Sequence, residues 1–300
     1  TAKYGVRDKD GRLSDEKLRV VAEHEAVRMF EIKLSQGAKP GKGGILPGAK
    51  VTEEIARFRG LTVGQTSYSP NRHEEIDDWG DLLDFVAHVR EVTGKPVGIK
   101  IVVGAARPFR DLFALINERG AKSAPDFITL DGGEGGTGAA PMPLIDLVGM
   151  TIREALPMVA DLRAEYGLEN RIRLIASGKL VNPGDVAWAL AAGADFVTSA
   201  RGFMFALGCI QALKCNKNTC PTGITTHDPR FQKGLVVSDK REGVANYARN
   251  IVSEVEIIAH SVGVPDPRHL NRHHVRIVQP NGTSIPMDEL HPVFQSHAAS

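Results

Sequence analysis

The stretch IRLIASGKLVNPGDVAWALAAGADFVTSARG, residues 172–202, decides the fold. Two apolar runs, Ile172–Lys179 and Ala194–Ala200, flank a helical pattern that begins at Asn182 and Pro183, an N-cap followed by proline at the first helical position. Small residues close both runs. Such residues after two successive parallel strands are typical of the phosphate site that follows strands 7 and 8 of a (β/α)8 barrel, where backbone N–H groups and a helix N-terminus bind the phosphate.

The same alternation of strand and helix patterns extends toward the N-terminus. Three more apolar runs are interpreted as buried parallel strands: Met29–Ser35, Pro96–Gly104 and Asp126–Gly133. Helical patterns accompany them at Asp15–Ala26, Trp79–Thr93, Pro108–Arg119 and Thr151–Tyr166. Counting back from strand 8, we predict an α/β fold that is a partial (β/α)8 TIM barrel with strands 4–8. The alternative is an open, doubly wound sheet of five strands.

This count places strands 1–3 before residue 1, with Thr1–Gly5 as a remnant of the third. The chain does not begin with Met, which agrees with an N-terminal truncation. We therefore expect the 300-residue chain to bind a barrel cofactor poorly by itself, because about three of eight strands are absent.

Composition excludes several classes of protein. The chain carries 37 basic and 36 acidic residues, so its net charge of +1 gives no electrostatic argument for binding nucleic acid or an anionic membrane. No run of about 18 apolar residues and no signal peptide is visible. We expect a cytoplasmic location, and a membrane anchor in the missing N-terminal part would be compatible with it.

All three cysteines lie in one short window, Cys209, Cys215 and Cys220, and Pro221 follows the last. A structural zinc site uses four ligands, whereas cysteine thiolates hold iron–sulfur clusters and proline recurs after the last of them. Three thiolates without a fourth favour a cluster with three irons. The alternatives are buried small hydrophobic residues, one disulfide with a spare thiol, or zinc with His227 as a further ligand.

Two lysines occupy apolar strands, Lys33 in the first run and Lys100 in the second. Burying an ammonium is costly unless an anion or polar partner meets it. Both lie near the carboxyl ends of neighbouring strands, so we expect an anionic group there, such as the N1/O2 edge of a flavin. The alternative is an internal ion pair, for example between Lys33 and Glu31.

Glycine-rich loops follow two of the strands. The loop of residues 36–44 is polar and carries Lys39, which together with Arg59 could bind carboxylates. The loop of residues 131–138 contains enough glycine for backbone to pack against a flat cofactor, but no acidic residue completes a dinucleotide fingerprint. A solvated mobile loop is the alternative at residues 36–44.

Several motifs resemble the FMN domain of glutamate synthase over residues 1 to about 230. They are KLSQGAKPG at 33–41, LPG at 46–48, GGTGAAP at 135–141, LGCI at 207–210 and NTCPTG at 218–223, and the cysteine spacing is similar too. The resemblance implies an FMN barrel that makes glutamate from 2-oxoglutarate and ammonia, or glutamine-derived ammonia, through 2-iminoglutarate. It also implies a 3Fe-4S cluster that passes electrons to FMN from a donor such as ferredoxin or a reductase subunit.

The resemblance further implies residue roles. Lys33, Gln36, Lys39 and Arg59 would serve the substrate, and Cys209, Cys215 and Cys220 would hold the cluster. The residues implied to bind the cofactor are Lys100, Glu134, Gly135, Gly136, Ser177, Gly178, Lys179, Ala200, Arg201 and Gly202.

Some positions depart from the large synthases. Ser177-Gly178-Lys179 replaces Asp-Gly-Gly, Glu134 replaces Asp, and Ser199-Ala200-Arg201 replaces a Gly-Thr-Ala type turn. These features are more similar to stand-alone FMN-binding proteins of the family. Two alternatives remain: an N-methylglutamate synthase-like enzyme that uses methylamine, and a non-catalytic flavin and iron–sulfur electron-transfer subunit. Retention of Gln36, Lys39 and Arg59 favours substrate chemistry.

We divide the chain into a partial barrel at residues 1–233, including the iron–sulfur loop 209–220, and a C-terminal helical extension at residues 234–300. Within the extension, Glu242–His260 has a helical pattern and a basic cluster contains His269, His273 and His274. We expect this extension to be solvated or to contact another subunit, which leaves room for a homo-oligomer.

Overall fold

The structure is a computed structural model that describes residues 5–136, 138 and 140–292. Most of the predicted remnant strand Thr1–Gly5, and residues 137 and 139 of the second glycine-rich motif, lie outside them. Nine strands are numbered along the chain: β1 (Phe30–Lys33), β2 (Ile45–Leu46), β3 (Ser67–Tyr68), β4 (Val97–Ile101), β5 (Phe127–Asp131), β6 (Arg173–Ser177), β7 (Phe196–Thr198), β8 (Arg276–Val278) and β9 (Ser284–Pro286).

Ten α-helices are described between and after these strands. They are α1 (Asp15–Glu23), α2 (Glu53–Arg59), α3 (Trp79–Thr93), α4 (Arg107–Arg119), α5 (Ile152–Glu165), α6 (Pro183–Ala191), α7 (Ala200–Ala206), α8 (Pro229–Gln232), α9 (Val237–Ser261) and α10 (Met287–Leu290).

The central sheet has five parallel strands in the order β1-β4-β5-β6-β7. Each strand pairs with the next strand of this sheet along the chain, and the helices α3, α4, α5 and α6 form the four crossovers. An open doubly wound sheet would reverse its strand order at a switch point. The five strands instead run on in one direction, as consecutive strands of a barrel do, and the prediction of a partial (β/α)8 barrel is confirmed.

Local signals in the sequence set the ends of the crossover helices. Asp78 caps α3 by accepting a hydrogen bond from the backbone N–H of Asp81 (2.9 Å), and Gly94 ends the helix in the left-handed conformation at φ 64°. Asn182 caps α6 in the same way through the N–H of Asp185 (2.9 Å), with Pro183 at the first helical position. The predicted bounds of α3 therefore match the structure at both ends.

Alternation along the strands separates a hydrophobic core from a polar face. Ile99, Ile128, Leu130 and Leu174 are fully buried and pack in one core cluster with side chains of the crossover helices. The residues between them on the strands point to the opposite face of the sheet. That face carries the polar set Glu31, Lys33, Lys100, Thr129, Asp131 and Ser177. The interior of the predicted barrel is therefore polar toward the carboxyl ends of the strands.

The C-terminal region packs against the barrel and is not a solvated extension. Helix α9 lies along α6, where Ala259 is fully buried among Ala187 and Ala191. Beyond α9, the buried Arg272 donates to Asp161 of α5 (2.7 Å), and Met287 is fully buried in the main core. This region also contains the antiparallel pair β8–β9, so it is not only helical. The domain boundary at residue 233 stays a prediction.

Within the described part of the chain, no helix combines the length and the apolar character that crossing a membrane requires.

Candidate active site

A cavity of about 180 Å³ lies at the carboxyl ends of the parallel strands. Backbone and side chains of the loops that follow neighbouring strands meet there, which is where barrel enzymes keep their active sites. Its lining includes Gln36 and every residue predicted to bind the cofactor except Glu134 and Gly202. The described residues that line it are Gln36, Ala38, Lys100, Asp131, Gly135, Gly136, Ser177, Gly178, Lys179, Leu180, Thr198, Ala200 and Arg201.

Asp131, the last residue of β5, connects three parts of this cavity. Its carboxylate accepts hydrogen bonds from the backbone N–H of Gly37 (2.8 Å) and from the Ser177 hydroxyl (2.8 Å). The Lys100 ammonium lies 3.4 Å from the same carboxylate. The lysine predicted to meet an anion therefore has an internal one, and Asp131 also fixes the loop after β1 and the end of β6.

Two lysines lie side by side on the polar face of the sheet. The parallel register pairs Lys33 of β1 with Lys100 of β4, and Lys33 donates to the side-chain oxygen of Gln36. Partial desolvation, followed by the Lys100 ammonium, lowers the pKa of Lys33. Glu31 accepts a hydrogen bond from Thr129 (2.6 Å), and its charge is a lesser effect that opposes the lowering of the Lys33 pKa. Two ammonium groups therefore lie together at this end of the sheet, with the Asp131 carboxylate beside Lys100.

The far side of the cavity is formed by the turns after β6 and β7. Gly178 adopts φ 147° and Lys179 adopts φ 51°, and the Lys179 ammonium pairs with Asp146 (2.8 Å). Arg201 donates to the backbone carbonyl of Gly136 (3.2 Å), which joins the turn after β7 to the loop after β5. Two cations and several backbone groups therefore border the space where a phosphate was predicted.

Gly202 is near this turn but faces away from the cavity. A Cβ atom at this position would lie 1.8 Å from the hydroxyl of Tyr247 on α9. The glycine is needed there because the tyrosine occupies the space of a side chain.

Glu134 also serves a neighbouring helix rather than lining the cavity. Both oxygens of its carboxylate accept from the backbone N–H of Ile152 (2.8 and 3.0 Å), the first residue of α5. Burial raises the pKa of Glu134, although these backbone hydrogen bonds oppose the shift. A carboxylate at the start of a helix satisfies an otherwise unpaired N–H and interacts favourably with the helix dipole.

Lys39 and Arg59 do not line the cavity. Lys39 is buried, with 8% of its surface exposed, and burial followed by the charge of Lys42 lowers its pKa. Arg59 is the last residue of α2, and its backbone carbonyl accepts from Arg7 (3.1 Å). The loop that carries Lys39 is anchored to the cavity through Gly37, whose backbone N–H donates to Asp131.

The cysteines follow α7 on one irregular loop and are free thiols. Cys209 begins the loop, where its N–H donates to Met204 of α7 (2.9 Å), and Cys220 is buried near its end. Burial alone would raise the pKa of Cys220, but hydrogen bonds from Thr222 and Thr225 lower it to about 6. A thiol with this pKa is largely a thiolate at neutral pH, the form that binds metals.

The backbone of this loop is unusual. Gln211, Leu213 and Asn218 have φ values of 53°, 53° and 58°, in the left-handed region that non-glycine residues rarely occupy. Such conformations persist where the surrounding structure imposes them, and they are frequent at functional sites.

Lys50 links the cysteine loop to the turn after β2. It is buried, with 8% of its surface exposed, and its ammonium donates to the backbone carbonyls of Cys215 and Thr225. Burial lowers the pKa of Lys50, while Cys215 and Cys220 oppose that shift. One ammonium therefore holds both ends of the segment that contains the second and third cysteines.

Over residues 5–136, 138 and 140–292, no three side chains of His, Cys, Asp or Glu converge into a ready metal site. The donor set is nevertheless suitable for an iron–sulfur cluster in three respects. The thiols are free and belong to one loop, one of them is acidic, and a buried ammonium lies beside them.

Sequence reasoning overlooked Asp131, Lys50 and Tyr247. Asp131 had a usable signal, because a carboxylate at the carboxyl end of an otherwise apolar strand faces the mouth of a barrel. Lys50 belongs to a motif, KVT at 50–52, that resembles the family, but no local signal indicated the contacts of Lys50 or Tyr247, because their partners are 165 and 66 residues away along the chain.

Comparisons with a family model and with curated proteins both point to glutamate synthase. The family model described as the conserved region in glutamate synthase matches residues 2–265. The glutamate synthase large subunit-like protein YerD of Bacillus subtilis is 43% identical over 293 residues, which are 98% of this chain and 55% of that protein. The archaeal-type glutamate synthase (NADPH) of Thermotoga neapolitana is 37% identical over 236 residues, 78% of this chain and 45% of that protein.

The chain thus spans about half the length of the curated relatives that it matches. Among solved structures, a mutant flavocytochrome b2 with benzoylformate aligns with a TM-score of 0.50 at 14% identity, over 86% of this chain and 49% of that one. This likeness concerns the fold alone.

Proposed function

Because this chain belongs to the glutamate synthase family, we propose that it forms a synthase site in which 2-iminoglutarate, made from 2-oxoglutarate and ammonia, is reduced to glutamate. The observation that carries the proposal is the cavity at the strand ends. There Asp131 fixes the loop of residues 36–44, the predicted substrate loop, through Gly37, and it also contacts Lys100 and Ser177. One carboxylate thus connects the predicted substrate loop to the predicted cofactor site.

FMN is the proposed organic cofactor, and when bound it would supply the hydride. The glycines of the loop after β5 leave room for a flat ring system, and Lys100 lies at the same wall. The phosphate would be held by the backbone of Gly178 and Ala200 with the cations Lys179 and Arg201. A mononucleotide matches this arrangement, because the phosphate turns after β6 and β7 correspond to those of barrel strands 7 and 8.

The two carboxylates of 2-oxoglutarate would be bound by Lys39 and Arg59, with Gln36 and Lys33 nearby. Lys39 supports this role because it is buried, and among the described residues no carboxylate forms a salt bridge with it. A buried ammonium without an internal counter-ion favours an anionic ligand. Arg59 has the planar fork that binds a carboxylate through two hydrogen bonds, and it would have to approach the substrate from the end of α2.

Cys209, Cys215 and Cys220 would hold a 3Fe-4S cluster that supplies electrons to the flavin. The low pKa of Cys220 and the position of Lys50 support thiolate ligation here. Relatives named as NADPH-dependent glutamate synthases suggest NADPH as the source of reducing equivalents. A ferredoxin or a reductase subunit would deliver them equally well, and the ammonia would come from solution or from glutamine.

The composition of the purified full-length protein tests the cofactor assignments. Anaerobically purified protein should release FMN on heating, identified by mass, and should contain three irons per chain with acid-labile sulfide. Stoichiometric zinc without sulfide would contradict the cluster, and a dinucleotide in the supernatant would contradict FMN.

Substitution of Arg59 tests the substrate assignment. Lysine cannot reproduce the bidentate geometry, so Arg59→Lys should weaken 2-oxoglutarate binding by about 1.5–3 kcal/mol, the range for a hydrogen bond to a charged group. Titration with 2-oxoglutarate, followed by flavin absorbance, measures the change. Arg57→Lys, two residues away on the same helix, is the matched control and should bind like wild type. If wild type shows no saturable response to 2-oxoglutarate, the glutamate-forming assignment fails. It also fails if Arg59→Lys binds 2-oxoglutarate as tightly as Arg57→Lys and wild type do.

A further inference from the structure

Tyr247 lies on α9, outside the cavity, yet its hydroxyl contacts two of the loops that form it. The hydroxyl donates to the backbone carbonyl of Val181 (2.7 Å) and lies 2.9 Å from the Ser199 hydroxyl. A phenol has one proton to donate, so the proton of this second hydrogen bond comes from Ser199. One oxygen atom thus joins the loop after β6 to the loop after β7.

These loops form the side of the cavity assigned to a phosphate. The end of β6 supplies Ser177 to the lining, the loop after it supplies Gly178, Lys179 and Leu180, and Val181 follows directly. On the other side, the end of β7 supplies Thr198 and the start of α7 supplies Ala200 and Arg201, on either side of Ser199. The separation of the two loops sets the distances between their backbone N–H groups and cations, and a phosphate bound by both needs that separation to be fixed.

The tyrosine is itself held in place. Its ring packs edge-on against Phe203 of α7, with centroids 4.9 Å apart and an interplanar angle of 86°. Gly202 provides the space for the hydroxyl, since a Cβ there would approach to 1.8 Å. A rigid ring fixed by one helix and hydrogen-bonded to two loops is a suitable spacer between them.

We propose that Tyr247 is a positioning residue for the flavin phosphate, and that selectivity for FMN over riboflavin depends on its hydroxyl. This inference rests on the proposed FMN site. Tyr247 does not line the cavity, so its effect acts through the turns around Gly178 and Arg201. Because riboflavin lacks the phosphate, the hydroxyl should matter for FMN and not for riboflavin.

The test uses the full-length protein after removal of its flavin. Dissociation constants for FMN and for riboflavin are measured by quenching of flavin fluorescence. Tyr247→Phe keeps the ring and its contact with Phe203 but removes both hydrogen bonds, so it should weaken FMN binding by about 5- to 10-fold, as expected for losing one or two hydrogen bonds. Its affinity for riboflavin should be unchanged.

Two further variants sharpen the result. Tyr166→Phe removes a tyrosine hydroxyl near the end of α5 and should bind both flavins like wild type. Ser199→Ala breaks one of the two links and should reduce FMN affinity by less than Tyr247→Phe. Combined with Tyr247→Phe, it should add little, because both changes break the same connection.

The outcomes separate this inference from the proposed function. A wild-type protein that prefers FMN, with a Tyr247→Phe variant that keeps the full preference, overturns the role of Tyr247 and leaves the FMN site intact. An equal loss of affinity for both flavins shows a general structural role and also overturns it. If wild type binds FMN no better than riboflavin, the phosphate site fails and this inference fails with it.

Discussion

At the scale of a residue, the buried carboxylate of Asp131 holds together several parts of the cavity wall. Its partners belong to three different loops or strands, and they include an ammonium, a hydroxyl and a backbone N–H. The pair with Lys100 is largely shielded from water, with side-chain exposures of 21% for the lysine and 11% for the aspartate. Removing one member of a shielded pair leaves the other charge without compensation.

Asp131→Ala should therefore lower the free energy of unfolding by about 3–5 kcal/mol. Urea denaturation of wild type, Asp131→Ala, Lys100→Met and the double variant measures the coupling. The double variant should be more stable than the sum of the single changes implies, by about 0.5–3 kcal/mol. Additivity within about 0.5 kcal/mol would show that the two groups do not stabilise each other.

At the scale of an element, the start of α5 depends on a side chain from a loop that precedes it by many residues. Thr151 makes no side-chain capping bond, and Glu134 accepts from the N–H of Ile152 instead. The helix is thereby fixed to the glycine-rich loop after β5, next to Asp131. Position and stability of this loop are thus coupled to the crossover helix behind it.

Substituting Glu134 should destabilise the protein in a pH-dependent way. Glu134→Ala should cost about 1–2 kcal/mol at neutral pH, as for loss of a helix cap, whereas Glu169→Ala on the surface should cost little. The raised pKa means that the folded state binds the proton more tightly than the unfolded state. The stabilisation from that proton is complete below the ordinary value of 4.5 and is lost as pH rises through the folded-state pKa.

Glu134→Gln cannot titrate and lacks this component. The stability of wild type relative to Glu134→Gln should therefore decrease as pH rises from below 4.5 toward neutrality, as measured by urea midpoints. A difference that is constant over this range, or that increases with pH, would contradict the raised pKa.

At the scale of the whole molecule, the region after residue 233 completes the surface of the barrel. Helix α9 buries Ala259 against α6, and Tyr247 of the same helix supports the turns beside the cavity. Further on, Arg272 pairs with Asp161 of α5 and Met287 fills the main core. The contacts predict one cooperative unit rather than two domains that fold separately.

Truncation tests this prediction. A chain that ends at residue 265 loses Met287 and Arg272, and it should be less stable by at least about 1.5 kcal/mol, since burial of a methionine side chain alone contributes about 1.5–3 kcal/mol. A chain that ends at residue 233 also loses α9 and should be less stable still. Urea unfolding followed by circular dichroism measures both. An unchanged midpoint for the chain ending at 233 would instead support a domain boundary there.

The fold could be predicted from sequence because its signals are local. The five apolar runs of the sheet and the caps at Asp78 and Asn182 act within a few residues, so periodicity and helix signals located them. The predicted ends of the helices were less accurate. Helix α9 begins at Val237, five residues before the predicted start, because its N-cap Val236 makes no side-chain bond that would mark it.

The candidate site was only partly predictable for a related reason. Most of the cofactor residues were found because they follow strands, and the carboxyl ends of adjacent parallel strands meet at one edge. Gly202 and Glu134 satisfied the same rule, but their contacts are with Tyr247 and Ile152 and not with the cavity. A rule about strand ends cannot tell which way a residue faces, since the direction depends on the helix packed behind it.

The sequence by itself determined the alternation of strands and helices, the polar ends of the strands and the three cysteines on one loop. These properties depend on neighbours along the chain, where propensity, periodicity and capping act. Only the tertiary structure decided that Asp131 joins Gly37, Ser177 and Lys100, that Lys50 holds the cysteine loop, and that Tyr247 connects the turns after β6 and β7. Each of these contacts spans tens of residues or more, and it exists because packing of the helices on the sheet brings distant polar groups within hydrogen-bonding distance while removing them from water.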